Sequence, residues 1–225
     1  MKDIRIAIDG PASSGKSTVA KIIAKNLGYT YLDTGAMYRS ATYLALQNGL
    51  TEENVPEILE QLSQHPISFG KAADGSQQVY VGDVDITHPI RDNQVTNNVS
   101  WVAAIPEVRQ ELVAQQQRIA QDGAIIMDGR DIGTTVFPDA ELKIFVTATP
   151  EIRAQRRYDE LKAKGQEASF DEILENVKQR DYIDQNREVS PLRKADDALL
   201  LDNTTMTISQ QKEWLQKQFD KTVKG

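Results

Sequence analysis

The chain has 225 residues, a formal net charge of −7, a hydrophobic fraction of 40% and no cysteine. This length can form one sizeable core, and the lack of cysteine excludes disulfides, thiolate chemistry and cysteine-based metal sites. The acidic charge argues against general nucleic-acid binding and no apolar stretch approaches the length of a membrane span, so we expect a cytoplasmic protein with no nucleic-acid or membrane partner.

The first predicted element is a buried strand at residues 4–9, which leads into a glycine-rich loop and then a helix that ends at Gly28. The loop fits G-x-x-x-x-G-K-[ST], and strand, loop and helix are the context that a phosphate-binding loop requires. The candidate ATP-binding residues are Gly10, Pro11, Ala12, Ser13, Ser14, Gly15, Lys16, Ser17 and Thr18. Backbone N–H groups would surround the phosphates, Lys16 would reach the β- and γ-phosphates, and the Ser17 hydroxyl would hold Mg²⁺.

Strands and helices then alternate along most of the chain. Further strands are predicted at 29–33, 124–128, 142–146 and 199–202, and helices at 34–47, from about 51–54 onward, and at 90–98, 106–121, 150–164, 170–187 and 208–219. Short alternating runs at about 67–88, with a turn at 73–76, predict a small antiparallel sheet inserted into this pattern. The alternation predicts an α/β fold whose parallel sheet is covered by helices on both faces.

Two arginines follow predicted strands of the sheet. Arg39 comes after the second strand, and Arg130 comes after the apolar strand at 124–128. Because ligands in open α/β sheets bind beyond the carboxyl ends of the strands, both are placed to face the phosphate pocket. Surface salt bridging explains the same spacing equally well.

Other arginines are spaced along one face of a predicted helix. Arg153 and Arg157 stand four apart, and Arg180, Asp184 and Arg187 follow an i, i+4, i+7 pattern. Ion pairs on a solvated helix would produce the same pattern. The phosphate-binding loop favours a ligand-binding role, because phosphoryl transfer needs cations around the transferring group. The segment around Gly165, between the two arginine-bearing helices, could be a closing lid.

Three segments together resemble the bacterial-type cytidylate kinases of the nucleoside-monophosphate kinase family. They are residues 33–39 (DTGAMYR), 128–134 (DGRDIGT) and 180–187 (RDYIDQNR). The match runs in order over essentially the whole chain and includes the small inserted sheet, which adenylate kinases lack. The resemblance implies a three-layer P-loop fold with five parallel strands, and the reaction ATP + CMP ⇌ ADP + CDP, with dCMP also accepted. We also expect a monomer.

The resemblance also implies a domain organisation and a set of site residues. The core would cover about 1–34, 122–149 and 195–225, the monophosphate-binding region about 35–121, and the lid about 150–190. The implied roles are the cytosine edge for Thr34, Arg109 and Asp131; the sugar for Ser100, Arg180 and Asp184; the acceptor phosphate for Arg39, Arg130 and Arg187; and the transferred phosphoryl group for Lys16, Arg153 and Arg157. An aspartate suits the amino group of cytosine, which uracil replaces with an acceptor, so Asp131 is the expected discriminator.

Two other functions remain open on the sequence. The chain could be a kinase for UMP or for another small substrate, which assays with competing monophosphates would reveal. It could also be a regulatory module that binds ATP without catalysis, although a switch needs no second set of phosphate-binding arginines.

Overall fold

The computed structural model describes residues 3–73, 76–120 and 123–224. Two positions of the predicted turn at 73–76, and the last position of the helix predicted at 106–121, lie outside the described residues. The strands are β1 (Arg5–Asp9), β2 (Thr30–Asp33), β3 (Ile67–Lys71), β4 (Gln77–Val81), β5 (Val84–Asp85), β6 (Ile125–Gly129), β7 (Leu142–Thr147) and β8 (Leu199–Asp202). The helices are α1 (Lys16–Leu27), α2 (Thr34–Gln47), α3 (Val55–Gln64), α4 (Asn93–Val102), α5 (Pro106–Ile119), α6 (Pro150–Ala163), α7 (Phe170–Asn186) and α8 (Ile208–Lys224).

Within the described residues, a five-stranded parallel sheet has the order β2-β6-β1-β7-β8. The predicted α/β class and its five parallel strands are therefore confirmed. β6 is buried along its whole length, which explains why its sequence is almost continuously apolar. Side chains from β1 pack with α1 and α8, where Ile6, Ile23 and Phe219 belong to one buried apolar cluster.

The first helix begins and ends where the sequence predicts. It starts at Lys16, directly after the glycine loop, and Gly28 follows its last residue. Gly28 takes a left-handed conformation (φ 70°) and donates its N–H to the Ala24 carbonyl. A residue with a β-carbon would be strained there, so the glycine ends the helix.

The described residues divide into two compact units, one running up to Asp33 and resuming at Gln116, the other from Thr34 to Gln115. The second unit contains α2 to α4, most of α5, and the small antiparallel sheet β3-β4-β5. This sheet confirms the insert predicted at 67–88.

Two predicted helices have clearly different bounds. The closing helix was expected at 208–219 but continues to Lys224 as α8. A continuous helix was expected at 90–98, but a 3₁₀ turn covers Pro89–Arg91 and α4 begins at Asn93 and continues to Val102. The interruption lies at Asp92, whose backbone is extended (φ −63°, ψ 151°) and cannot continue a helix. A π-helical turn at Ile132–Val136 follows β6 and was not predicted. No helix in the described ranges is long and apolar enough to cross a membrane.

Candidate active site

The glycine-rich loop joins the end of β1 to the start of α1. At Gly10 the backbone passes so close to the Val146 carbonyl of β7 that any β-carbon would overlap that oxygen. Ser13 (φ 57°) and Gly15 (φ 84°) are both left-handed. These reversals curl the chain around the N-terminus of α1, where free N–H groups and the helix dipole favour an anion.

Lys16 lies buried at the first position of α1, with 6% of its surface exposed. Its Nζ donates a hydrogen bond of 3.2 Å to the Pro11 carbonyl within the loop. Burial, and then the nearby charge of Arg130, lower the pKa of Lys16 to about 7, against the opposing charges of Asp128 and Asp33. A bound polyphosphate would supply the negative charge that favours the protonated amine.

The side chains of Ser17 and Asp128 place two oxygen atoms that could ligate a metal ion beside the loop. The Ser17 hydroxyl donates to Asp128 Oδ2 at 2.6 Å, and the Tyr31 hydroxyl donates to Oδ1 at 2.5 Å. Burial, and then the charge of Asp33, raise the pKa of Asp128. A hydroxyl beside a crowded buried carboxylate fits Mg²⁺, which prefers oxygen ligands and binds proteins through few groups while substrate phosphates complete its shell. No cluster of three or more His, Cys, Asp or Glu side chains among the described residues forms a metal cage.

Asp9, the last residue of β1, connects this strand to the segment that follows β6. Its two carboxylate oxygens accept the backbone N–H groups of Ile132 at 2.8 Å and Gly133 at 2.7 Å. Burial raises the pKa of Asp9 to about 7, and the charge of Asp131 adds to the rise. The carboxylate therefore holds the Arg130–Asp131 segment next to the start of the glycine loop.

Four of the predicted residues form an ionic cluster, in which Asp131, Asp184 and Arg187 are buried and Arg130 is partly exposed. Arg130 Nε donates to Asp184 Oδ2 at 2.8 Å, and Arg187 Nη1 lies 3.8 Å from the other oxygen of that carboxylate. Arg187 Nη2 also lies 3.5 Å from Asp131 Oδ1. Burial alone would raise the pKa of Asp184, but Arg130, Arg187 and Arg180 together hold it below its usual range.

The two predicted arginines of α6 have different surroundings. Arg153 is buried and forms a bidentate ion pair with Asp181 of α7. It also donates a hydrogen bond of 3.1 Å to the Ala12 carbonyl of the glycine loop. Arg157 is partly exposed and pairs with Glu160 on the same helix at 3.0 Å. Arg153 thus connects α6 to both α7 and the loop, whereas Arg157 forms the ordinary helical ion pair that its spacing allows.

The remaining predicted residues belong to the unit 34–115. Thr34, the first residue of α2, and Ser100 of α4 are both buried. Arg39 lies on α2, five residues after Thr34. Arg109 is 1% exposed, donates to the Ala103 carbonyl at 3.1 Å, and stacks over the Tyr38 ring at 5.1 Å.

Several residues of the site were not singled out from the sequence. Asp9 is a polar residue at the carboxyl end of an apolar strand, which is a signal that could have found it. Tyr31 is the second residue of the short strand β2, where no such signal exists. Arg156 stands between two selected arginines, and Asn203 follows the last strand of the sheet. Both donate to the Ser14 carbonyl of the loop, a contact that no local pattern indicates.

The glycine loop, its buried lysine, the hydroxyl–carboxylate pair and the arginine cluster define a P-loop phosphotransferase. Two solved structures support the fold at a TM-score of 0.52: a sugar kinase from Janibacter sp. (12% identical, covering 97% of this chain and 95% of that one) and an uncharacterized protein from Eubacterium ventriosum (14% identical, covering 98% and 99%). The family model for cytidylate kinase matches residues 6–221.

Curated relatives agree with the family model. The chain is 74% identical to the cytidylate kinase of Streptococcus thermophilus and 65% identical to that of Streptococcus equi subsp. equi, over 99% of each chain. This chain belongs to the cytidylate kinase family, whose reaction is the ATP-dependent phosphorylation of CMP and dCMP. The predicted family, enzyme class and reaction are confirmed.

Proposed function

We propose that the chain transfers the γ-phosphoryl group of Mg²⁺-bound ATP in line to CMP or dCMP, without a covalent intermediate. The observation that supports this most is the largely buried ionic cluster of Arg130, Asp131, Asp184 and Arg187, which lies in the same compact unit as Lys16. The charges of Arg130 and Asp184 also act on the Lys16 amine. Phosphoryl transfer asks the protein mainly for alignment and charge neutralisation, which guanidinium groups provide because they stay charged.

On the donor side, the N–H groups of residues 10–18 would bind the phosphates, and Lys16 would neutralise charge that develops toward the γ-phosphoryl group. Ser17 would ligate Mg²⁺, with Asp128 accepting a hydrogen bond from the same hydroxyl. When bound, the cation neutralises phosphate charge and orients the phosphates.

On the acceptor side, Arg130 and Arg187 would bind the phosphate of CMP. Asp184 and Arg180 would hold the sugar. Asp131 would accept a hydrogen bond from the amino group of cytosine, while Arg187 pairs with the same carboxylate. Asp184 pairs with both of the arginines that would bind the phosphate, so the two guanidinium groups are already close together before CMP binds. The phosphate of CMP would then interact with both arginines while Asp184 continues to balance part of their charge.

For the unit 34–115 we propose, from the resemblance, that Thr34 and Arg109 contact the base, Ser100 the sugar and Arg39 the phosphate. The burial of Thr34 and Ser100 suits groups that read a ligand in a dry pocket, where an unpaired polar atom is costly.

Residues of about 150–190 would act as the lid that excludes water. Arg157 is partly exposed and pairs with Glu160, so a phosphate could replace that carboxylate at the surface of α6. Arg153 would have to leave its buried pair with Asp181 before it could contact a phosphate.

The proposed activity is tested by measuring ADP release with CMP, dCMP, UMP, AMP and dTMP as acceptors. We expect CMP and dCMP to exceed UMP by a wide margin in kcat/KM. Comparable rates with UMP would support a broader pyrimidine kinase. ATP binding without transfer to any monophosphate would instead support a regulatory module.

Replacement of Asp131 tests how the base is read. Asp131→Ala should reduce the preference for CMP over UMP by about 10²-fold, because the buried group that rejects uracil is gone. It should lower the rate with UMP much less than the rate with CMP. Equal losses for the two substrates would contradict the role of Asp131 in discrimination.

We also propose that the enzyme works as a monomer in the cytoplasm, where its nucleotide substrates are found. Light scattering during size-exclusion chromatography, with and without ATP and CMP, would test the oligomeric state. A mass of twice the chain's 25.1 kDa would contradict it.

A further inference from the structure

Side chains donate hydrogen bonds to three carbonyl groups of the glycine loop. The Pro11 carbonyl accepts Lys16 Nζ, and the Ala12 carbonyl accepts Arg153 Nη1 at 3.1 Å. The Ser14 carbonyl accepts two donors, Arg156 Nη1 at 3.2 Å and Asn203 Nδ2 at 2.7 Å. Of these three carbonyls, that of Ser14 accepts the most side-chain hydrogen bonds.

The direction of a carbonyl decides the direction of the next N–H group. A trans peptide is planar, so the C=O of Ser14 and the N–H of Gly15 point to opposite sides. Holding the Ser14 oxygen on the outside of the loop therefore aims the Gly15 N–H at the inside, where the phosphates bind. Gly15 has φ 84° and no β-carbon, so its own torsional preferences do not restrict this peptide strongly.

Asn203 and Arg156 act on this peptide as one unit. Arg156 donates from Nη1 to Asn203 Oδ1 at 3.0 Å and from Nη2 to the Asn203 backbone oxygen at 2.9 Å. Asn203 is 1% exposed, and its Nδ2 also donates to Gln211 Oε1 at 2.9 Å. These bonds fix the amide so that its nitrogen faces the Ser14 carbonyl.

We propose that Arg156 and Asn203 are positioning residues that aim the Gly15 amide at the donor phosphates. This inference rests on the proposed function, because it assigns the loop to the nucleotide that donates the phosphoryl group. Neither side chain needs to touch the nucleotide, since each acts through the Ser14–Gly15 peptide.

The test compares Asn203→Asp, Asn203→Ala, Arg156→Ala and the double alanine variant. Asn203→Asp keeps an oxygen for Arg156 but removes the donor to Ser14. Gln155→Ala is the matched control, because Gln155 is exposed on α6 and its amide bonds to Asp159. For each protein we would measure the KM values for ATP and CMP, kcat, and the affinities for ADP and AMP in the absence of CMP.

We expect the Asn203 and Arg156 variants to lose about tenfold or more of their preference for ADP over AMP, because one charge-assisted hydrogen bond to the phosphates is misaligned. The KM for ATP should rise, and the KM for CMP should stay within about twofold of the original value. The double variant should be no worse than the poorer single variant, because both residues act on one carbonyl.

Three results would overturn the proposal: an unchanged ADP preference, strictly additive effects in the double variant, or altered discrimination between ATP and GTP while the ADP preference is intact. The last result would place these residues at the base. Should the variants fail to fold, ¹⁵N-glycine NMR of the unmodified protein decides instead. The Gly15 amide should shift strongly downfield with ADP and less with AMP, and an amide that does not respond refutes the proposal.

The two proposals fail separately. ADP binding is measured without an acceptor, so it judges the loop geometry even where transfer to CMP is absent. If the unmodified protein transfers the phosphoryl group to CMP and the variants keep its preference for ADP, only the positioning role is refuted.

Discussion

The ionic cluster around Asp184 leads to a quantitative prediction. Its carboxylate lies 2.8 Å from Arg130 and 3.8 Å from Arg187, and it is 7% exposed. Asp184→Asn preserves the shape of the side chain and one oxygen acceptor, but it leaves the two guanidinium groups without this countercharge. The substitution should therefore destabilise the fold.

The magnitude follows from burial. Breaking a buried ion pair costs about 3–5 kcal/mol, and the partial exposure of Arg130 places this case near 3 kcal/mol. In a chain of this length, 1 kcal/mol changes the unfolding temperature by roughly 2–4 °C, so we expect a fall of about 6–12 °C. Sulfate should restore more stability to the variant than to the unmodified protein, because an anion can replace the missing charge.

The pH dependence has a defined sign. The folded pKa of Asp184 lies below its unfolded value, so its contribution is present above about pH 4 and is lost as the pH falls through the folded pKa. The difference in stability between the unmodified protein and Asp184→Asn should therefore become smaller in acid.

Calorimetry of both proteins, with sulfate and with sodium chloride at equal ionic strength, measures these effects. Asp139→Asn is the matched control, because Asp139 forms an exposed pair with Arg5 and should contribute less than about 1 kcal/mol. A melting temperature within 2 °C of the original, together with equal sulfate effects, would refute the reasoning.

Three further predictions concern the glycine loop and its neighbours. Lys16→Ala should lower kcat by about 10²–10³-fold in steady-state assays, while the melting temperature changes little because burial already disfavours the charged amine. Between about pH 4 and pH 7 the folded protein binds more protons at Asp9 than the unfolded chain does, so its stability should fall as the pH rises. Asp9→Asn should reduce this fall, because asparagine does not titrate. Curves of stability against pH that run parallel for the two proteins would exclude this effect. Gly10→Ala should prevent the loop from closing against the Val146 carbonyl, so that ATP protection against proteolysis disappears, whereas retained protection would mean that the loop adapts.

Much of the site could be predicted because its residues occupy defined positions in local patterns. The loop motif, the apolar strand before it and the helix after it all lie within residues 4–28, and the structure has each of them. Arg130 and Asp131 follow β6, as expected for ligand-binding residues in a parallel sheet.

The partners of these residues could not be predicted in the same way. Helical spacing suggested that Arg180, Asp184 and Arg187 share one face, but Asp184 pairs with Arg130, 54 positions earlier in the chain. Likewise, the i, i+4 pattern gave Arg153 and Arg157 equal standing, although one is buried against Asp181 and the other is partly exposed. Spacing reports which residues share a face and not what packs against that face.

The sequence by itself determined the glycine loop, the alternation of strands and helices and the inserted sheet, because each depends on neighbouring residues. Only the tertiary structure decided the strand order and the contacts that tune the site. Asn203 reaches a loop carbonyl 189 positions away, and Asp9 binds amides 123 and 124 positions away. Chain folding brings such groups together, and burial then changes their pKa values and hydrogen bonding in ways that no local pattern contains.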